Sequence, residues 1–120
     1  MSRKIKLGYG GEESSIEEVL DYVGKGWHPL VRKLINDLFD LGWDGDLPQI
    51  KEKLGGLRFY CSLPSGLSEA VYKEMYDLIS AAEEESERTC EECGERGKIR
   101  SFNGWLRCVC DEHAKKGSKG

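Results

Sequence analysis

The chain has 120 residues, of which 38% are hydrophobic and 33% charged, and its formal net charge is −4. That length suits one modest core, and the longest apolar runs are far too short to span a bilayer. The charge balance lacks the strongly basic footprint of a general nucleic-acid binder.

The start, Met1-Ser2-Arg3-Lys4, leads into alternation and glycine rather than an apolar signal core, so a cytoplasmic protein is expected. Ile5, Leu7 and Tyr9 alternate with Lys4, Lys6 and Gly8, the pattern of a short half-buried strand. Ser14-Ser15 followed by Glu17-Glu18 reads as a capping box. The helix it opens would bury Ile16, Val19, Leu20 and Val23 and stop at Gly24. A second helix starts at Trp27-His28-Pro29, with proline in the first turn, where its missing N–H costs little. Leu30, Val31, Leu34, Ile35, Leu38 and Phe39 recur on one helical face, and Gly42 can end it. Trp43 to Pro48 reads as a loop.

Gln49–Lys53 and Leu57–Leu63 are expected strands, joined through Leu54-Gly55-Gly56. In the second, Leu57, Phe59, Cys61 and Leu63 alternate with Arg58, Tyr60 and Ser62. Ser68 can cap a third helix over residues 69–88, with Val71, Met75, Leu78, Ile79 and Ala82 on one stripe. Residues 61–88 carry two basic and seven acidic side chains, and Glu83, Glu84, Glu85 and Glu87 crowd the helix end. Negative charge there opposes the macrodipole, so local helix stability does not ask for it.

The C-terminal third holds the strongest chemical signal. Cys90 and Cys93 form C-x2-C; after a connecting stretch of 16 residues, Cys110 and His113 form C-x2-H. Each half can be a knuckle aiming two ligands at one point, and together they offer three thiolates and an imidazole to one Zn²⁺. Lys98–Phe102 and Trp105–Val109 read as strands around Asn103-Gly104, a strong hairpin signal. A hairpin that returns the second pair beside the first makes a zinc ribbon. Four protein ligands leave no open position, so the metal is structural. Cys108 is left as a packing residue and Cys61 as a small core residue. Five cysteines without a secretion signal suit metal ligation in a reducing compartment.

The expected architecture is thus α+β. Helices pack on a small antiparallel sheet in a body over 1–88, a zinc ribbon over 89–114 packs on it, and a disordered tail covers 115–120. Catalytic motifs are sparse: His28, Asp44 and Asp46 are the only start of an enzymatic cluster, and a non-catalytic protein is expected. The segment from Lys51 to Tyr60 is the best candidate binding surface. Lys51, Lys53, Arg58 and Tyr60 can share one hairpin face and engage phosphate or carboxylate, while Gly55 and Gly56 let a ligand approach the backbone. The alternative is a solvated sheet face with a glycine turn. Trp27, Trp43 and Trp105 can seal core edges, with Trp105 packing the ribbon onto the body, or form a stacking surface.

The blocks Lys51-Glu52-Lys53-Leu54-Gly55-Gly56-Leu57-Arg58-Phe59-Tyr60, Ala82 to Ser86, Thr89-Cys90-Glu91-Glu92-Cys93-Gly94, Gly104-Trp105 and Cys110-Asp111-Glu112-His113 occur together. In combination they resemble a family of small, mostly uncharacterised bacterial, phage and prophage proteins, over roughly residues 27–114. That family carries no assigned reaction to transfer. The resemblance implies a phage or prophage context, in which accessory proteins often act on host machinery or host defence. Together with the absent catalytic set, the Gly-Gly/Lys/Arg hairpin and the acidic end of the third helix, it leads to the expectation of an inhibitor of a host defence component. Such an inhibitor would grip a host protein through the Glu83–Glu87 surface, or an anionic nucleotide signal through Lys51, Lys53, Arg58 and Tyr60. Rival expectations are a nucleic-acid-binding ribbon using Arg96, Lys98, Arg100 and Arg107, and a purely structural or assembly protein. Membrane association is not expected.

Overall fold

In the computed structural model, which describes residues 3–117, strand β1 (Lys4–Leu7) turns back at Gly8 and Gly11 into β2 (Glu12–Ser15). Both glycines have positive φ. Tyr9 sits in this turn, almost fully exposed, rather than in the strand. Ser15 then caps α1 (Ile16–Leu20) through the expected box: its hydroxyl accepts from Glu18 N, and the Glu18 carboxylate accepts from Ser15 N.

Helix α1 ends at Leu20, short of Gly24, although Val23 is still buried. The chain leaves the helix to make a 3₁₀ turn (Lys25–Trp27) that runs into α2 (His28–Asp40). The expected stripe on α2 is buried at Val31, Leu34, Ile35 and Leu38. Trp43 follows, wedged between Phe39 and Phe59 at centroid distances of 5.1 and 6.0 Å.

The segment read as a loop contains β3 (Asp46–Leu47), which pairs in parallel with β1 through Leu7↔Leu47. After Pro48, β4 (Gln49–Lys53) pairs antiparallel with β5 (Gly56–Tyr60), Lys51 opposite Arg58. Strand β5 stops at Tyr60 rather than Leu63. Beyond it Ser62 N reaches Asp46 O, but Pro48 has no N–H to continue a ladder.

Helix α3 (Glu69–Ser86), capped by Ser68, lies along the outer edge of β5. There Leu57 N donates to Ser86 Oγ at 2.8 Å and Phe59 N to Glu83 Oε2 at 3.0 Å. The strand edge, which would otherwise present unpaired amides, is closed by side chains of the helix.

The C-terminal unit comprises the hairpin β6 (Lys98–Phe102) and β7 (Trp105–Val109) and the helix α4 (Asp111–Gly117). Helix α4 includes positions 115–117, where a disordered tail is expected, and residues 118–120 lie outside the described residues. The described residues form an α+β fold with four helices and three small sheets, the β4–β5 and β6–β7 pairs antiparallel. One core cluster runs through Ile5, Val19, Leu20, Trp27, Ile35, Leu47, Leu57 and Met75, and a smaller one surrounds Cys90, Val109 and Cys110.

Candidate metal centre and the hairpin beside it

The first ligand pair stands on a knuckle. Gly94, at φ +84°, lets the chain reverse after Cys93, and its N–H donates to Cys90 O at 2.9 Å. Cys90 N donates to Glu95 O, and Glu91 N to Cys108 O, fixing the knuckle to β7. The second pair is arranged differently from the expected knuckle: Cys110 immediately precedes α4 and His113 lies in its first turn. Ala114 N closes that turn on Cys110 O. Helix spacing thus brings the two side chains together at Sγ–Nδ1 3.3 Å.

The four ligand atoms lie within 4.8 Å of one another. Cys93 Sγ is 3.7 Å from Cys110 Sγ, and Cys90 Sγ is 3.6 Å from His113 Nδ1. Bonds of roughly 2.3 Å to sulfur and 2.0–2.1 Å to nitrogen give tetrahedral edges of about 3.8 Å (S–S) and 3.6 Å (S–N). The donor set and its spacing therefore fit one tetrahedral metal ion with no position left open. Cys108 stays outside the set, buried in the main core, and burial pushes its thiol up to about 11. The Cys110 thiol is pulled down to about 6, first by the His113 N–H and then by the His113 ring and the neighbouring thiols.

Three glycines receive this unit. A Cβ on Gly26 would collide with Cys90 O and Gly94 N, and one on Gly24 with Glu91 O. Gly26 N donates to Glu91 O at 2.8 Å, and the buried Trp27 ring donates to Thr89 O at 2.8 Å. Gly55 lies under Ile99, where a Cβ would sit 3.1 Å from both Cγ atoms. Sequence reading missed the roles of Gly24 and Gly26; the Gly-x-Gly spacing before Trp27 was the available signal. It also gave Gly55 and Gly56 a ligand-facing role, but both are buried. Gly55 N donates to Glu52 Oε2, and Gly56 faces the Glu87 carboxylate.

Lys51, Lys53, Arg58 and Tyr60 share one face of β4–β5, opposite Ile50, Glu52, Leu57 and Phe59. Among the described residues the side chains of Lys51, Lys53 and Arg58 have no hydrogen bond or ion pair. The other six arginines are all paired: Arg3 with Asp40, Arg32 with Glu17, Arg88 and Arg96 with Glu85, Arg100 with Asp111, and Arg107 with Glu91 and Glu92. The rival basic surface on the ribbon is therefore largely neutralised, with Lys98 left over.

The acidic end of α3 is also engaged. Glu83 caps Phe59 N, Glu85 holds Arg88 and Arg96, and Thr89 Oγ1 donates to Glu85 O. His28, Asp44 and Asp46 do not converge. His28 Nε2 is 3.2 Å from Val23 O, Asp44 reaches Lys6, and Asp46 N bonds Asp44 Oδ1. The Cys/His set is the only group of metal-ligating side chains among the described residues. Trp105, expected against the body, is instead 78% exposed. No protein-family model matches this chain, and comparisons with curated proteins and with solved structures return no match.

Proposed function

We propose that the chain is a non-catalytic binding protein that grips an anionic partner on the outer face of β4–β5, with one structural Zn²⁺ holding its C-terminal unit. The observation that carries this reading is the unpaired cation group Lys51, Lys53 and Arg58. In a chain with net charge −4, acidic partners are plentiful, and every other arginine has one. A guanidinium and two ammonium groups left on one face suit a phosphate or carboxylate ligand. Three thiolates and one imidazole in closed geometry favour zinc, and give it a scaffold role.

The resemblance to phage and prophage proteins supports the narrower reading of an inhibitor acting on a host defence component, through an anionic protein surface or a nucleotide signal. No helix among the described residues is long and apolar enough to cross a membrane, which suits action inside the host cytoplasm.

A native mass spectrum of the chain purified gently from host cells tests the reading. One zinc plus an anionic ligand or acidic protein is expected, and Lys51→Ala with Arg58→Ala should lose the partner and keep the zinc. A variant that retains the partner undiminished would show that the hairpin face is not its site.

A further inference from the structure

The two hairpin tips lie side by side and frame a concavity of about 420 Å³, lined by Glu52, Lys53, Leu54, Trp105 and Leu106 among others. We infer that this is a nucleotide site: a planar base stacks on Trp105, and its phosphate lies along Lys53 toward Lys51 and Arg58. The inference rests on the anion-binding reading above and narrows its ligand.

Two features set these tips apart from ordinary turns. Both turns have positive φ at both central residues, as two-residue hairpins require. At Asn103-Gly104 the residue types match that demand. At Leu54-Gly55 a leucine takes the left-handed position, at φ +56°, with 58% of its surface exposed. A left-handed, solvent-facing leucine is unfavourable on both backbone and solvation grounds, so the folded chain alone does not account for it. Trp105 faces it from the other tip. The other two tryptophans are buried, with ring N–H groups bonded to Thr89 O and Ser62 O.

The walls are fixed rather than loose. Ile99 packs directly on Gly55, locking one hairpin to the other, and Glu52 caps Gly55 N at 2.7 Å. Glu52 projects from the opposite face of its strand from Lys51 and Lys53. Glu52 also lines the concavity, its carboxylate held by Gly55 N, so a phosphate is kept off that wall and drawn to Lys53, and the aromatic wall is left to the base. Apolar side chains beside unpaired cations match a ligand that is flat and uncharged at one end and anionic at the other. Base stacking on an exposed tryptophan tolerates any base, so phosphate placement rather than base identity dominates recognition.

Calorimetric titration of the zinc-loaded protein with the four ribonucleoside monophosphates, and with ribose 5-phosphate as the base-free control, tests this. We expect at least one nucleotide to bind ten-fold or more tightly than ribose 5-phosphate. Trp105→Ala should weaken the nucleotide about ten-fold without moving ribose 5-phosphate, and Trp105→Phe should restore most of the loss. Lys53→Ala with Arg58→Ala should weaken both. Equal binding of nucleotide and ribose 5-phosphate, or an unaffected Trp105→Ala protein, overturns the stacking site while leaving the basic face intact. No nucleotide binding to the wild type also overturns it. If the Lys51/Arg58 variant still loses its partner in the native mass spectrum, the broader reading stands.

Discussion

Ser86 has no exposed surface, yet it is polar. Its hydroxyl donates to Glu83 O and accepts from Leu57 N, which lets a helix end seal a strand edge. Removing that acceptor leaves a buried amide unsatisfied, a loss of about 1–3 kcal/mol. Ser86→Ala should therefore lower the unfolding free energy measured by urea titration by that amount, whereas replacing the exposed Ser80 by Ala should not. Leu54 gives the opposite sign. Asparagine adopts the left-handed region more readily, so Leu54→Asn should raise stability by about 1 kcal/mol in the same unfolding assay. It should also weaken nucleotide binding, a trade between stability and function at a single side chain.

Residues that carry the fold by pattern were legible, and those that act through tertiary contact were not. The α2 stripe, the Ser15–Glu18 box, the two hairpin turns and the Cys/His spacing each encode local geometry, and each appears where its pattern points. Glu12-Glu13-Ser14-Ser15 has no alternating apolar pattern, and β2 exists because β1 offers it an edge. Asp46–Leu47 is too short for periodicity to register. Glu83 looked dispensable from the helix alone, and its hydrogen bond to β5 could not be read from the helix. Trp105 looked like a seal because tryptophan usually is one, and only the docked hairpins reveal its outward face.

Among elements, the unit from Thr89 to Gly117 has the most to gain from a bound metal ion. Its own core is small, with Cys90, Val109 and Cys110 buried and Phe102 and Ala114 packed against them. Chelation should abolish amide protection across β6, β7 and α4 while α2 and α3 keep theirs, as hydrogen exchange will show. Acid should act in the same direction. In the metal-free chain His113, through its N–H and ring, holds the Cys110 thiol down to about 6 from an ordinary value of about 9, while the neighbouring Cys93 thiol, which shares its proton, is pushed up to about 11. A group depressed on folding stabilises fully above its unfolded value, and that contribution fades as pH falls through the folded one. Protonation also removes the ligand form, so zinc release followed by a colorimetric chelator should rise as the solution is acidified. The unit is also docked closely on the body. Gly26→Ala should destabilise by about 3 kcal/mol or more, because backbone stands where the new methyl must go. It should also speed zinc loss, although position 26 is not a ligand.

At the scale of the whole molecule, the chain extends 49 Å along its longest axis and 28 and 25 Å along the others. The Trp27 ring spans 62 positions of sequence to hold Thr89, and Gly26 receives the knuckle next to it. During synthesis the ribosome delivers α1, the 3₁₀ turn and α2 long before the knuckle emerges. The N-terminal half must therefore wait with its docking groove open until the last quarter of the chain has been translated and has captured its ion. If an ion fills the Cys/His set, its supply becomes a checkpoint on maturation. Chains made in zinc-starved cells should be trimmed by proteases from the C-terminal side, while zinc-replete cells accumulate the full-length protein.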